Sequence, residues 1–272
     1  MTDGLARLGT GLESGLGAGM SPADEHAVPA RLIPMPSELN PALLQVAEPD
    51  EGRRIPITRE EIAIVHAPRS QIAEQFRTLR NSIVTLNPEG APRTVVVTSA
   101  LRGEGKTVAT LNLALALAEM PGVQVLVIDA NLHHPALEDY LSLPRRQGLS
   151  ELLSGRLPLD QAIRSTYAQG VAILGAGAPP KNPSELLSSD RMRTLLRSLK
   201  QRYSYVLIDT PEASTISDAS LLGAITDGIL LVVRLGSTPR QYVEQTSAML
   251  EALGGNVLGT CLTGASMLDT AR

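Results

Sequence analysis

Residues 94–120, "TVVVTSALRGEGKTVATLNLALALAEM", join two periodicities. Thr94 to Ser99 are β-branched or small and read as a buried strand. From Gly105 to Glu119 an alanine- and leucine-rich run reads as a helix. Between them, "ALRGEGKT" places Ala100, Gly105, Lys106 and Thr107 at the spacing of a phosphate-binding loop, with Ala at the first position where Gly is usual. The glycines Gly103 and Gly105 let backbone amides turn inward around phosphate oxygens, and the helix that follows offers its positive end. Lys106 is placed to reach β- and γ-phosphates, and the Thr107 hydroxyl to ligate Mg²⁺. Arg102, Glu104 and Val108 fill out the loop residues expected around the nucleotide.

Outward from this loop the chain alternates short apolar runs with longer helical ones. Strands are expected at 94–99, 123–129, 171–174, 204–209, 228–234 and 256–262, and helices at 105–119, 148–154, 159–165, 184–202, 217–225 and 238–253. That alternation predicts an α/β fold, P-loop NTPase-like, with a mainly parallel sheet covered by helices on both faces. Such sheets bind nucleotides at the carboxyl ends of their strands. Upstream, "SQIAEQFRTLRNSIVTL" puts Ile72, Phe76, Leu79, Ile83 and Leu86 at helical spacing, with Ser70 as N-cap.

Two expected strands end in a carboxylate, at Asp129 in "VQVLVIDANLHHP" and at Asp209 in "YSYVLIDTPE". A buried strand-end acid is costly unless it is paired or beside a cation. Each reads either as a turn or cap acid or, in a sheet that carries a phosphate loop, as a Mg²⁺ ligand, direct or through water. Asp218 in "ISDASLL" reads as a helix N-cap.

Composition narrows the field. The net charge of −4 lies wholly in the first 60 residues, whose nine acids outnumber five arginines; residues 61–272 carry 19 charges of each sign. No basic face is evident, and one Phe, five Tyr and no Trp leave few platforms for stacking bases, so nucleic acid is not the expected partner. Cys261, the single cysteine, excludes an internal disulfide, and no apolar run reaches the roughly 20 residues of a membrane helix. A cytoplasmic protein with no direct membrane span is expected. Residues 1–56, rich in Gly and Pro without a period, read as a disordered tail or as a segment that docks on a partner. The remainder divides into a nucleotide-binding domain at 57–266 and a short end at 267–272.

Together these motifs resemble one family, the bacterial tyrosine kinases of polysaccharide export (BY-kinases). "AEQFRTLRNSI" resembles the family's helix before the loop, with Glu74, Arg77 and Arg80 in its E-x-x-R-x-x-R pattern. "TSALRGEGKT", "VLVIDANLHHP" and "VLIDTPE" match its three nucleotide-site motifs in order. The resemblance covers roughly residues 57–265. It implies binding of ATP with Mg²⁺ and transfer of the γ-phosphate to tyrosine, with Lys106, Asp129 and Asp209 catalytic and Thr107, Asp129 and Asp209 at the metal. It implies further that Glu74, Arg77 and Arg80 lie at a homo-oligomer interface; the residues alone equally allow an ion-paired solvent face. A separate membrane-anchored co-polymerase adaptor is the implied partner, holding the protein at the inner face of the plasma membrane.

The chain departs from the family in three places. The second acidic motif, D-x-D-x-R, reads Asp129-Ala-Asn131-Leu-His133; Asn131 can ligate a cation or donate a hydrogen bond but cannot act as a base. No tyrosine follows Tyr242, so the family's C-terminal tyrosine cluster is missing, and all five tyrosines read as partly buried packing residues. Thr263 stands where the family often has an Asn near the nucleotide base. Two other classes therefore remain beside the kinase: a nucleotide-gated regulator with little chemistry, and a positioning ATPase of the ParA/MinD type. The latter carries a Lys where this chain has Leu101.

Overall fold

Runs of Val, Leu and Ile with almost no polar interruption make strands that must be buried on both faces. The computed structural model describes residues 59–91, 93–214 and 216–264. The expected tail at 1–56 and the end at 267–272 lie outside the described residues. In chain order the elements are α1 (Ala63–His66), α2 (Gln71–Thr85), β1 (Arg93–Ser99), α3 (Lys106–Ala118), β2 (Val125–Asp129), α4 (Leu137–Tyr140), α5 (Leu149–Leu153), α6 (Leu159–Ala162) and β3 (Ile163–Ser165). There follow β4 (Val171–Leu174), α7 (Pro183–Leu187), α8 (Asp190–Leu199), β5 (Tyr205–Asp209), α9 (Asp218–Gly223), β6 (Gly228–Arg234), α10 (Arg240–Ala252) and β7 (Val257–Thr263).

The strands form one sheet in the order β3-β4-β2-β5-β1-β6-β7. Every described neighbour pair is parallel except β3 with β4. Alternate side chains feed two apolar clusters. Val96, Leu126, Ile128, Val206, Ile208 and Leu231 face α5, α8 and α9, while Val95, Val97, Val127, Leu207 and Val232 face α2 and α3. Each fully buried Leu or Ile in these layers contributes on the order of 2 kcal/mol. The chain passes from β1 through α3 to β2 and later inserts β5 between them. That insertion sets the carboxyl end of β5 between the phosphate loop and the carboxyl end of β2.

The six expected strands are all present, within two residues at each end. The differences have local causes. The helix expected over 184–202 is two, because Ser189 turns its side chain back to cap α8, accepting from Met192 N. The segment expected as helix 159–165 gives up its last three residues to β3, which pairs with β4 across Ile163 and Leu174. On α2, Ser70 caps as expected, accepting from Ala73 N, but Ile72 and Leu86 are exposed and the buried line runs through Ala73 and Ile83. Asp218 is not the cap of α9; Ser217 holds that position and Asp218 lies wholly buried one residue inside. Tyr140, Tyr167, Tyr203 and Tyr205 are buried or half-buried as expected, whereas Tyr242 is 46% exposed.

Candidate functional site

β1 delivers the chain to Ala100, which is fully buried, and α3 carries it away from Lys106. Gly103 (φ 82°) and Gly105 (φ 90°) adopt the left-handed backbone that only glycine takes without strain. Gly105 is also the N-cap of α3 and supplies no side-chain cap, so the first-turn amides of that helix remain open toward the loop. Lys106 is held low over the strand end: its Nζ donates to Ser99 Oγ at 2.9 Å and lies 4.0 Å from Glu212 Oε2. Burial pushes the Lys106 ammonium below the usual lysine range, against the opposing pull of Asp209, Glu212 and Glu104.

Glu104 does not project toward solvent with its neighbours Arg102 and Gly103. It is buried, and its carboxylate accepts from Leu101 N at 2.7 Å, from Arg234 N at 3.3 Å and from the Thr238 hydroxyl. Thr263 Oγ1 donates to the Glu104 carbonyl at 2.7 Å, and Arg234 Nη1 to the Gly103 carbonyl at 3.2 Å. The loop is thus tied to the far ends of β6 and β7. Thr263, expected near a nucleotide base, has its hydroxyl committed to the phosphate loop, while Arg102 is exposed and Val108 half-buried on the first turn of α3.

Asp129 and Asp209 stand opposite each other in the β2–β5 register. Thr107 Oγ1 donates to Asp209 Oδ2 at 2.6 Å, whereas Asp209 Oδ1 is buried without a hydrogen-bond partner. Both oxygens of Asp129 accept from backbone: Oδ1 from Asn131 N at 3.1 Å, and Oδ2 from Ala136 N and Leu137 N, each at 3.0 Å. Burial raises both carboxyls above the ordinary carboxylate range. Asp209 pushes Asp129 further up, the three amides pull it back, and Thr107 and Lys106 partly restrain Asp209. The two groups titrate as a pair.

An acceptor that is buried and unused by the protein suits a cation or a cation-bound water, and Asp209 Oδ1 beside the Thr107 hydroxyl fits Mg²⁺. Among the described residues no group of three or more His, Cys, Asp or Glu could cage a metal. An ion here would take its remaining ligands from phosphate oxygens and water, the usual habit of Mg²⁺. Asn131 is occupied otherwise: its Oδ1 accepts from His134 N at 3.1 Å and shapes the turn after β2. His133 Nε2 lies 3.2 Å from Asp218 Oδ2, and Ser184 Oγ donates to Asp218 Oδ1 at 2.5 Å, joining the β2 loop to α9 and α7.

Glu74, Arg77 and Arg80 come together on one face of α2, around a residue that the sequence pattern did not single out. Arg77 forks onto Glu119 through Nε (2.8 Å) and Nη2 (2.6 Å) and reaches Glu74 Oε1 at 2.6 Å through Nη1. Arg80 Nη1 donates to Glu119 Oε2 and to the Ala116 carbonyl, both at 3.1 Å. Glu119 is the C-cap of α3, so these cations also sit at the negative end of that helix. Ser99 and Glu212 were likewise missed. Glu212 closes the same "DTPE" motif as Asp209, and Ser99 precedes the loop; both signals were available in the sequence.

No family model matches the chain. Tyrosine-protein kinase YwqD of Bacillus subtilis (strain 168) is 33% identical over 197 residues, 72% of this chain and 83% of that protein. The succinoglycan biosynthesis transport protein ExoP of Rhizobium meliloti (strain 1021) is 31% identical over 221 residues, 80% of this chain but 28% of that protein. Among solved structures, the chimerical protein CapA2B2 superposes with a TM-score of 0.72 at 31% identity, covering 77% of this chain and 92% of that one. The kinase domain of Escherichia coli tyrosine kinase ETK gives 0.71 at 32%, covering 76% and 82%. The septum site-determining protein MinD of Pyrococcus horikoshii OT3, complexed with Mg-ADP, follows at 0.55 and 28% over 65% of this chain and 72% of that one.

Proposed function

The chain belongs to the bacterial tyrosine kinases, the BY-kinase family of capsule and exopolysaccharide biosynthesis, and on that premise we propose that it binds Mg-ATP and transfers the γ-phosphate to tyrosine. One observation carries the reading: a buried, unpartnered Asp209 oxygen stands beside a glycine-turned phosphate loop. Likeness to MinD extends to the fold, but identity and superposition both favour the kinases.

Each group has a task set by its position. The open amides of the loop and of the first turn of α3 cradle the phosphates, with Lys106 released from Ser99 to meet them. Thr107 and Asp209 would hold the cation. When bound, Mg²⁺ neutralises charge on the β- and γ-phosphate oxygens. Asp129 keeps a free lone pair on Oδ1 beside its single amide donor, and its raised affinity for protons suits it to accept one from a tyrosine hydroxyl. Arg102, exposed in the loop, would contact the phosphates. Asn131 holds the turn after β2, and Thr263 fixes the loop from beneath. Phosphoryl transfer of this kind relies on positioning and charge neutralisation more than on covalent help.

Glu74, Arg77 and Arg80 form the proposed contact face with further copies of the chain. The kinase region is most of YwqD yet about a quarter of ExoP. The match to part of a longer transport protein supports, as the proposed partner, a membrane-anchored co-polymerase that would bring the protein to the inner face of the plasma membrane. Among the described residues no helix is long and apolar enough to cross a membrane.

The test is transfer of labelled γ-phosphate to a glutamate–tyrosine copolymer, beside a nucleotide titration, for wild type and Lys106→Met. Transfer that needs Lys106 is expected. Tight Mg-ATP binding without transfer would replace the kinase with a nucleotide-gated regulator, the reading that Asn131 favours.

A further inference from the structure

We propose that Tyr242 is the tyrosine on which one copy of this chain phosphorylates another. The inference rests on the kinase reading above. The sequence holds five tyrosines, all within the described residues, and the structure separates them. An acceptor must bring its phenolic oxygen in line with the γ-phosphate of another molecule's nucleotide. Tyr203 and Tyr205 are 8% and 5% exposed, and both sit at the amino end of β5, the sheet edge opposite the phosphate loop. Tyr167 is half-buried, and its hydroxyl is already donated to the Leu141 carbonyl. Tyr140 is half-buried against the α3 layer, with the Arg59 guanidinium 5.6 Å from its ring centre. Tyr242 alone has an open ring.

Its position adds a second argument. Ser99 pairs with Val232 in register, so β6 ends at the same edge as the phosphate loop. The chain then turns through Thr238, which hydrogen-bonds Glu104 in that loop, and enters α10. Tyr242 is the third residue of α10 and so stands at the rim of the nucleotide end. The N-cap of this helix, Pro239, provides no side-chain cap, and no acid lies in its first turn.

In the step, a bond forms between the Tyr242 phenolic oxygen and the γ-phosphorus of ATP. The bond from that phosphorus to the β–γ bridging oxygen breaks, and its electron pair leaves with ADP. The phenolic proton passes to Asp129 of the phosphorylating copy or to water.

The experiment incubates the full chain with Mg-ATP and maps phosphotyrosine by mass spectrometry, with the glutamate–tyrosine copolymer in a parallel reaction. Expected is phosphate at residue 242, self-phosphorylation lower by at least about tenfold in Tyr242→Phe, and unchanged labelling of the copolymer by that variant. Lys106→Met chain should gain phosphate at Tyr242 only when wild type is added. Phosphate on another tyrosine, undiminished labelling of Tyr242→Phe, or a labelled copolymer beside an unmodified chain each overturns the inference while leaving the kinase intact. No label on either would remove the kinase reading, and this inference with it.

Discussion

Asp129 and Asp209 end neighbouring strands, in register, in the same buried layer, yet their oxygens lead different lives. Asp129 takes three backbone amides and shapes the loop from Asn131 to Leu137. Asp209 takes one hydroxyl and leaves an oxygen idle. A carboxylate with every oxygen engaged by its own chain repays its desolvation within the fold, whereas one left half-empty repays it only when something binds. The comparison divides the site into a scaffolding acid that can double as a base and an acid reserved for the ligand.

The largest expected effect lies on the reserved side. Asp209→Asn should reduce Mg-dependent transfer by about two to three orders of magnitude. Without nucleotide its melting temperature should hold or rise, because a buried charge with an unused oxygen has been removed. A copolymer assay and a thermal melt on one preparation read both. An apo protein that melts lower would mean the idle oxygen has a structural partner after all.

Asp129→Asn should show the reverse balance. Its amide NH₂ must replace an oxygen that now accepts, setting donor against the N–H of Asn131 or against those of Ala136 and Leu137. Leaving such groups unmet costs about 1–3 kcal/mol, read as a lower midpoint in urea at unchanged slope. If this variant keeps wild-type stability and loses only transfer, the division between the two acids fails.

Proton linkage sharpens the same contrast. Both carboxyls bind protons more tightly in the folded state than in the unfolded chain, so the sign is that of a raised acid. Their protonation favours the apo fold below the ordinary carboxylate range, and that stability is lost as pH rises through the pair's raised values. A cation needs the ionised pair, so Mg-ATP should stabilise the protein more at about pH 8.5 than at about pH 5.5, through mass action on a proton-linked site. Melts with and without Mg-ATP across that range measure it, and Asp209→Asn should flatten the difference.

Much of this was legible beforehand because local rules and the global fold agree. The strand–loop–helix around Lys106 declares itself through glycines, apolar periodicity and spacing, and both acids stand out because a carboxylate ending a buried strand is costly unless it is paired or beside a cation. What escaped notice depends on contacts distant in sequence. Glu119 meets Arg77 and Arg80 from another helix. Glu104 turns inward because Thr238 and Arg234 wait more than a hundred residues away. Asp218 passes for a cap until His133 and Ser184 are seen around it. The exposure of Tyr242 follows from how α10 lies on the sheet, which no periodicity states.

The smallest effect tests whether the β2 end retains capacity for chemistry. In Asn131→Asp the remaining acceptor can still receive His134 N, so the turn should hold and the melting temperature change little. The new charge, two residues from Asp129, raises the pair's affinity for protons and cations alike. Its benefit should therefore appear only at high pH, as a rise in transfer of about two- to fivefold near pH 8.5. A rise of that kind would mean that Asn131 tempers an intact kinase. An equal or lower rate with the fold preserved would mean that the turn after β2 has become pure scaffold, leaving Asp209 and the loop to carry the chemistry.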